Sequence, residues 1–512
     1  MAMQPLNMVP DDAVVVGYDF STGGVKALAF DLEGQTLAEA RLTTDLWTEG
    51  GVSELNLNQL EGQAIAATSV LAARLQQLGR LWDWSAAGIS ATHHTSGRID
   101  HDNLQVRRAI CWNDSTLAKY HGEGLARLGG QARARELTGG PWAVRYSLSH
   151  WVKDESHLNH DGWRRTWRIL PHGSLAAGYL TGRFNQTSIS SAASTGILDL
   201  RTGKYALGML DALRDPEKRA MVRAQLPPIL DANTPIGPLG RGISIDCGID
   251  PDRSPLIFPT SDDQQAGLAG GGAVEAGQLA IILGNSAVVN ASAEAPPAGD
   301  DLDCMRLNWG PYLWMRCYTN GAQFLDKVVG AYPDWEALET AARSVPSGCN
   351  GTIVLPFSFP EPSLGVTAPR VEWTAGEPAE MGVRFRAALE AIAYLIAAGV
   401  EAHERNGQKI KRISVSGGIA RSDLMVEILA TLLGHPLERL RSFEGPALGA
   451  AAAALAGLET HRRRQAGNKD PFTVADAVGR MVRFRESAKP NPAWKDGLVK
   501  GYGQFRQKLG LK

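Results

Sequence analysis

The stretch VVVGYDFSTGGVKALAFD, Val14 to Asp31, decides how the chain begins to fold. Two apolar, β-branched runs predict strands over 14–20 and 25–31, joined by a turn. A hairpin needs only two turn residues such as Asn-Gly. This turn instead starts from Asp19 and spends Ser21, Thr22, Gly23 and Gly24. A Gly-rich turn lets backbone N–H groups approach an anion, because no Cβ intervenes. Thr22 and Ser21 add hydroxyl donors and Lys26 adds a point charge. Asp19 is the wrong charge to touch phosphate but suits the water shell of Mg²⁺. The set reads as a nucleotide-phosphate loop with its metal acid. Taken alone, a strand–glycine–strand hairpin is equally ordinary geometry. No Walker motif and no GxGxxG occurs, which argues against P-loop and dinucleotide-binding folds.

Outward from that stretch, EGQ makes a second turn and TLAEARLTT a third strand. Asn58 opens a helix, with Glu61 three residues on as in a capping box, and Gly79 closes it. AAGISA reads as a short buried strand. Near the middle, GQLAIILGNSAVVNAS repeats the opening pattern of strand, small polar turn (Gly284, Asn285, Ser286) and strand. A long amphipathic helix through Leu389, Ile392, Ile396 and Val400 leads to the strand RISVS. GGIARS and a helix over 423–433 follow, ended by Gly434 and Pro436. These are two α/β halves, each with a strand–turn–strand phosphate device. The Pro-rich RSPLIFPT near residue 255 reads as their boundary.

The bulk numbers agree. A chain of 512 residues is too long for one core. Net charge −2 gives no reason to expect nucleic acid or a membrane as partner. Five cysteines without a C-x-x-C argue against a disulfide framework or a zinc site and fit a reducing cytoplasm. The N-terminus has no secretory signal pattern, and PALGAAAAALAGL is too short and too Ala/Gly-rich to span a bilayer.

Further stretches carry chemistry. In TSDDQQAG, one acid at a loop-to-helix junction can take a proton from a hydroxyl, while Asp262 can equally be an N-cap. AICWNDS sets Trp112, Asn113 and Asp114 together, a polyol-recognition set or a buried Trp with an Asn-Asp turn. Gly417 and Gly418 lie between a strand and a helix, where a base or phosphate can approach the backbone. His93, His94, His101 and Asp102 fit no zinc spacing. HRRRQ at 461–465 reads as a solvated helix end. Trp82, Trp84, Trp142, Trp151, Trp163 and Trp167 read as packing residues.

GYDFSTGGVKALAFD, GVSEL, AICWND, SDDQQAG, LGNSA, SGGIARSDLMVEILATLLGHP and EGPALGAAAAALAG occur in the order seen in the FGGY carbohydrate kinases. The resemblance spans about 13–458, is closest to the xylulokinases, and extends to the tail KPNPAWKDGLVKGYGQFRQKL. It implies an α/β protein of two actin-like (ribonuclease-H-like) domains, with ATP and a sugar in the cleft between them. The domains would be 1–255 (sugar and first phosphate loop), 256–460 (catalytic Asp and adenosine) and a helical tail over 461–512. By the same resemblance, Asp263 is the catalytic base, followed by Gln264 on the substrate. Asp19 organises Mg²⁺. Thr22, Gly23, Gly24 and Lys26 form the ATP-facing turn; Gly284, Asn285 and Ser286 form the second phosphate loop. Gly417, Gly418 and Ser422 fall on the adenosine side. His94 aligns with a Met-His-Gly segment, Trp112 and Asp114 with the sugar site, and Glu54 with the Glu of GWSEQDP.

The chain departs from that pattern at Ser21 for Gly, Ser188 for Asp, Asn285 for Thr and Ile419 for Gly, and it lacks a Lys in RYSLSHWV. The expected activity is ATP-dependent phosphorylation of a primary hydroxyl of a small ketose, D-xylulose first, with other pentuloses, glycerol or erythritol as alternatives. The partner is a small sugar or polyol, without nucleic acid or membrane, in the cytoplasm; a homodimer is left open. Two rivals remain: a non-catalytic sugar or nucleotide sensor on the same fold, and a chaperone- or actin-like ATPase.

Overall fold

The computed structural model describes residues 3–299 and 301–511. The chain resolves into two compact units. The first gathers the chain up to Gly270 with Cys304–Leu313 and Gly445–Val482; the second takes Gly271–Asp303, Trp314–Glu444 and the chain from Arg483 onward.

In the first unit, strands β1 (Val14–Phe20), β2 (Gly24–Phe30) and β3 (Thr36–Thr43) form the expected antiparallel meander. β1 also pairs in parallel with β4 (Trp84–Ala91). Strand β5 (Leu256–Ile257) pairs with β4 on its other edge, and β6 (Ser261–Asp262) continues along that edge. RSPLIFPT therefore contributes a strand to the first unit's sheet, and the unit runs on to Gly270. β1 is buried along its whole length, as its mostly apolar sequence requires, with Asp19 the one charged residue on it. The helix Leu57–Gln77 packs behind the sheet with Leu60, Leu71 and Leu75 in the core. Its N-cap is Asn56, not Asn58: the Asn56 side chain accepts from the Asn58 backbone N–H. Both residues are good caps, and the earlier one wins because Leu57 already packs into the core. Trp84, Trp142, Trp151 and Trp163 are buried as expected, but Trp82 stands 52% exposed, on the short turn before β4.

The helix Gly445–Gln465 explains its own alanines and glycines. A Cβ at Gly17 of β1 would collide with the Ala447 carbonyl, and one at Gly88 of β4 with that of Ala450. Gly17 and Gly88 are register partners, so the helix lies on the sheet with backbone nearly touching backbone. HRRRQ, at this helix's end, is not a plain solvated run. Arg463 is buried, bonded to Glu459 at 2.7 Å and to the N-terminal segment through Gln4, Pro5 and Asn7. Glu459 in turn accepts from the backbone N–H groups of Asn7, Met8 and Val9.

The second unit repeats the device. β7 (Gln278–Leu283) and β8 (Ala287–Ala293) form an antiparallel hairpin. β7 pairs in parallel with β9 (Arg412–Ser416), and β9 with β10 (Leu437–Arg439). The order β8-β7-β9-β10 matches β2-β1-β4-β5 of the first unit. The long helix Met381–Arg405 is buried through most of its length against this sheet.

Candidate active site

Parallel pairing brings three strand ends together in the first unit. Asp19 at the end of β1 is in register with Ser90 of β4, and Asp262 of β6 with Ala91. Ser90 Oγ donates to Asp19 Oδ1 at 2.9 Å. Carboxylates far apart in sequence thus meet at the carboxyl ends of adjacent parallel strands, where α/β folds bind ligands.

Asp262 caps the helix Asp263–Gly270. Its Oδ1 accepts from the N–H groups of Gln264 (3.0 Å) and Gln265 (2.9 Å), and its Oδ2 accepts from Ser190 Oγ. Asp263 is partly buried, and its Oδ1 accepts from the His93 N–H at 3.3 Å. Burial first, then the neighbouring charges of Asp262 and Asp19, pushes the Asp263 carboxyl up to about 8.

The loop after β4 carries two histidines. The His93 ring stacks on His94 at 3.7 Å, and His94 on Tyr146 at 4.3 Å. His94 adopts the left-handed backbone, φ 60°, a costly conformation for a non-glycine residue. Its Nδ1 lies 2.9 Å from the Ser194 carbonyl. A carbonyl only accepts, so Nδ1 carries the proton and Nε2 is an acceptor; Nε2 is buried with no hydrogen-bond partner. Burial, then the charges of His93 and Arg145, holds the imidazole well below its usual range, hence neutral. His93, which the sequence pattern set aside for want of a zinc spacing, has its Nε2 3.6 Å from Asp262 Oδ2. The signal was its place directly after a parallel strand.

Asp114 follows the strand Gln105–Ile110 and is buried. Its Oδ2 accepts from Lys153 Nζ at 2.8 Å and its Oδ1 from the Thr116 N–H at 2.9 Å. Lys153 sits inside the helix Ser147–His157, so a lysine reaches Asp114 although RYSLSHWV contains none. Trp112 is 40% exposed and is no core residue. Burial raises the Glu54 carboxyl, against the charges of Arg107 and Lys153. Ser188, the departure from Asp, caps the helix Ile189–Ala193 by accepting from the Ser191 N–H, the task a carboxylate also performs.

The turn of the first hairpin closes on itself: Ser21 N–H and Oγ both donate to the Gly24 carbonyl, each at 2.9 Å. A Cβ at Gly24 would crowd the Leu42 carbonyl at 2.7 Å, whereas one at Gly23 meets nothing within 4 Å. The fold therefore demands glycine at 24 but leaves space at 23, beside Thr22. Lys26 stands across the ladder from Asp19.

In the second unit, the β7–β8 turn holds Gly284, Asn285 and Ser286, with Asn285 exposed. Register puts Ile282 beside Ser416, so this turn and Gly417 lie at neighbouring strand ends. Gly417 has φ 95°, and a Cβ there would collide with the Leu283 carbonyl; at Gly418 a Cβ meets nothing within 4 Å. Ser422 caps the helix Asp423–Leu433, accepting from the Met425 N–H at 3.1 Å. Ile419, the other departure, is buried.

Family models match both halves: the N-terminal domain of the FGGY family of carbohydrate kinases over residues 14–270, and its C-terminal domain over 359–458. The chain belongs to the FGGY family of carbohydrate kinases. It is 26% identical over 457 residues to a xylulose kinase of Escherichia coli (strain K12), covering 86% of this chain and 89% of that one. It is 26% identical over 478 residues to a glycerol kinase of Alkalilimnicola ehrlichii, covering 86% and 89%. The fold is shared with the ligand-bound xylulose kinase of Lactobacillus acidophilus, at TM-score 0.81 and 19% identity over 97% of this chain and 98% of that one. The fold is thus two actin-like domains and the activity that of a sugar kinase. An FGGY kinase uses ATP and commonly a divalent cation. The residues fit both. Burial and the charges of Asp262 and Asp19 raise the Asp263 carboxyl, and a hard dication with oxygen ligands suits such a gathering of carboxylates. Gly23 and Gly418 leave room for phosphate or base against the backbone.

Among the described residues, no helix is long and apolar enough to cross a membrane.

Proposed function

We propose that this FGGY kinase phosphorylates a primary hydroxyl of a small ketose, with D-xylulose as first substrate and D-xylulose 5-phosphate as product. The observation that carries the reading is Asp263, whose carboxyl is lifted to about 8 while its neighbour Asp262 is spent on capping. A group titrating near neutrality can accept the hydroxyl proton as the oxygen attacks phosphorus in line. Mg²⁺ held through Asp19 and water would neutralise charge on the phosphoryl oxygens. Thr22, Gly23, Gly24 and Lys26 face the phosphates from one hairpin, Gly284, Asn285 and Ser286 from the other. Gly417 and Gly418 receive the adenosine side, with Ser422 fixing the helix that follows. The acceptor Nε2 of His94, with Trp112, Asp114 and Gln264, reads the sugar hydroxyls.

The protein works in the cytoplasm, without nucleic-acid or membrane partners. A homodimer belongs to the same reading. The 26% identical glycerol kinase keeps a second acceptor, glycerol, in view. A panel of D-xylulose, D-ribulose, glycerol and erythritol, read by ADP release, tests the reading. Turnover of D-xylulose well above the others supports it. Turnover of glycerol or erythritol alone leaves the kinase and removes the pentulose.

A further inference from the structure

We propose that His93, Asp262 and Asp263 form a binding site for a borderline transition-metal dication such as Zn²⁺ or Co²⁺. Among the described residues, these three are the set whose ligand atoms come within 4.8 Å of one another. His93 Nε2 and Asp262 Oδ2 are 3.6 Å apart. Two ligands on a tetrahedral zinc, with bonds of about 2.1 Å, stand about 3.4 Å apart. The pair is thus close to chelating distance before any adjustment. The three groups are also held in place. The His93 ring is stacked on His94, the Asp262 carboxylate is fixed by two backbone donors and Ser190, and Asp263 is tied to the His93 backbone.

The imidazole separates this site from the oxygen setting around Asp19. Mg²⁺ takes hard oxygen ligands and keeps its waters, whereas imidazole favours zinc, cobalt and nickel. Two carboxylates and one imidazole neutralise a dication and leave a coordination position open. A metal bound there takes the Asp263 carboxylate as ligand. Inhibition of phosphoryl transfer by zinc follows from that, and this consequence, unlike the binding, rests on Asp263 being the base.

The full-length chain, stripped with a chelator, is titrated with Co²⁺ by visible absorption and with Zn²⁺ by calorimetry. One equivalent should bind, and His93→Met should weaken it at least about tenfold. His93→Gln serves as the second variant, and melting curves check that both fold. Absence of binding, or equal affinity in wild type and both folded variants, overturns the site. Zinc at saturating occupancy should also suppress wild-type turnover. His93-dependent binding with full activity retained supports the site and overturns the base assignment instead.

Discussion

Asp262 and Asp263 are adjacent, yet their carboxyl groups are held unequally: Asp262 accepts from two backbone N–H groups at the helix start and from Ser190 Oγ, whereas Asp263 Oδ1 accepts a long bond from the His93 N–H. The first carboxylate anchors the helix and the second is the one left for proton transfer. Asp263→Asn should therefore lower kcat by about 10²–10⁴ while ATP affinity changes by a few-fold. Asp262→Ala should lose a cap worth about 1 kcal/mol and lower the melting temperature. Kinetics, nucleotide titration and thermal melts on both variants decide it. A dead Asp262→Asn beside an active Asp263→Asn reverses the two roles.

The close approach of the helix Gly445–Gln465 gives a stability prediction. A Cβ at Gly449 would collide with the Ala266 carbonyl, in the helix that begins at Asp263. Backbone cannot swing aside as a side chain can, so Gly449→Ala should cost at least about 1–3 kcal/mol. Gly62 is the control: it lies in the helix Leu57–Gln77 with nothing within 4 Å of its added Cβ. Gly62→Ala should stabilise by about 0.5–1 kcal/mol. Chemical denaturation of both variants checks the contrast, and equal effects would remove the packing argument.

These two glycines show what was legible in the sequence. β1, both hairpins and the helix ends at Gly79 and Gly434 were readable, because each depends on neighbours in sequence. The repeat of strand–turn–strand was visible as pattern, and the matching strand orders give it a physical form. What could not be read depends on distant partners. Arg463 looked like one of several surface cations, but its ligands lie in the first residues of the chain. The Lys153–Asp114 bond spans 39 positions and the Ser190–Asp262 bond 72, and no local motif announces either. His93 had no zinc spacing because its acidic neighbours arrive on another strand.

His172 should make stability pH-dependent. It is buried, and burial lowers its imidazole to about 4. A depressed folded value means that the unfolded chain, titrating near 6.5, binds the proton first. Stability is then full above about 6.5 and falls as pH drops toward 4. His172→Gln should flatten that fall by about one proton's worth of slope, whatever its offset at pH 7. Melting temperature against pH for both proteins is the measurement. Parallel curves would mean that His172 takes up its proton in the native state.

Asn285 stands exposed at the tip of the β7–β8 turn, in place of a hydroxyl residue. If that turn faces the phosphates, Asn285→Thr should lower the KM for ATP or raise kcat. Initial rates at varied ATP test this. No gain would mean that the loop makes its contact through backbone groups alone.

The pair Asp114 and Lys153 lets folding and recognition be separated. Both side chains are buried and 2.8 Å apart, so removing either strands a charge at a cost of about 3–5 kcal/mol. Lys153→Met and Asp114→Asn should both lower the melting temperature. If Asp114 also accepts from a sugar hydroxyl, only its loss removes that contact, at about 1–3 kcal/mol. Asp114→Asn should then raise the sugar KM beyond what Lys153→Met does and narrow the preference for D-xylulose over its epimer D-ribulose. ATP KM should stay within a few-fold in both. Initial rates on the two ketoses, with melts run in parallel, separate the effects. Equal KM values in the two variants would make Asp114 a folding residue and leave recognition to the Nε2 of His94.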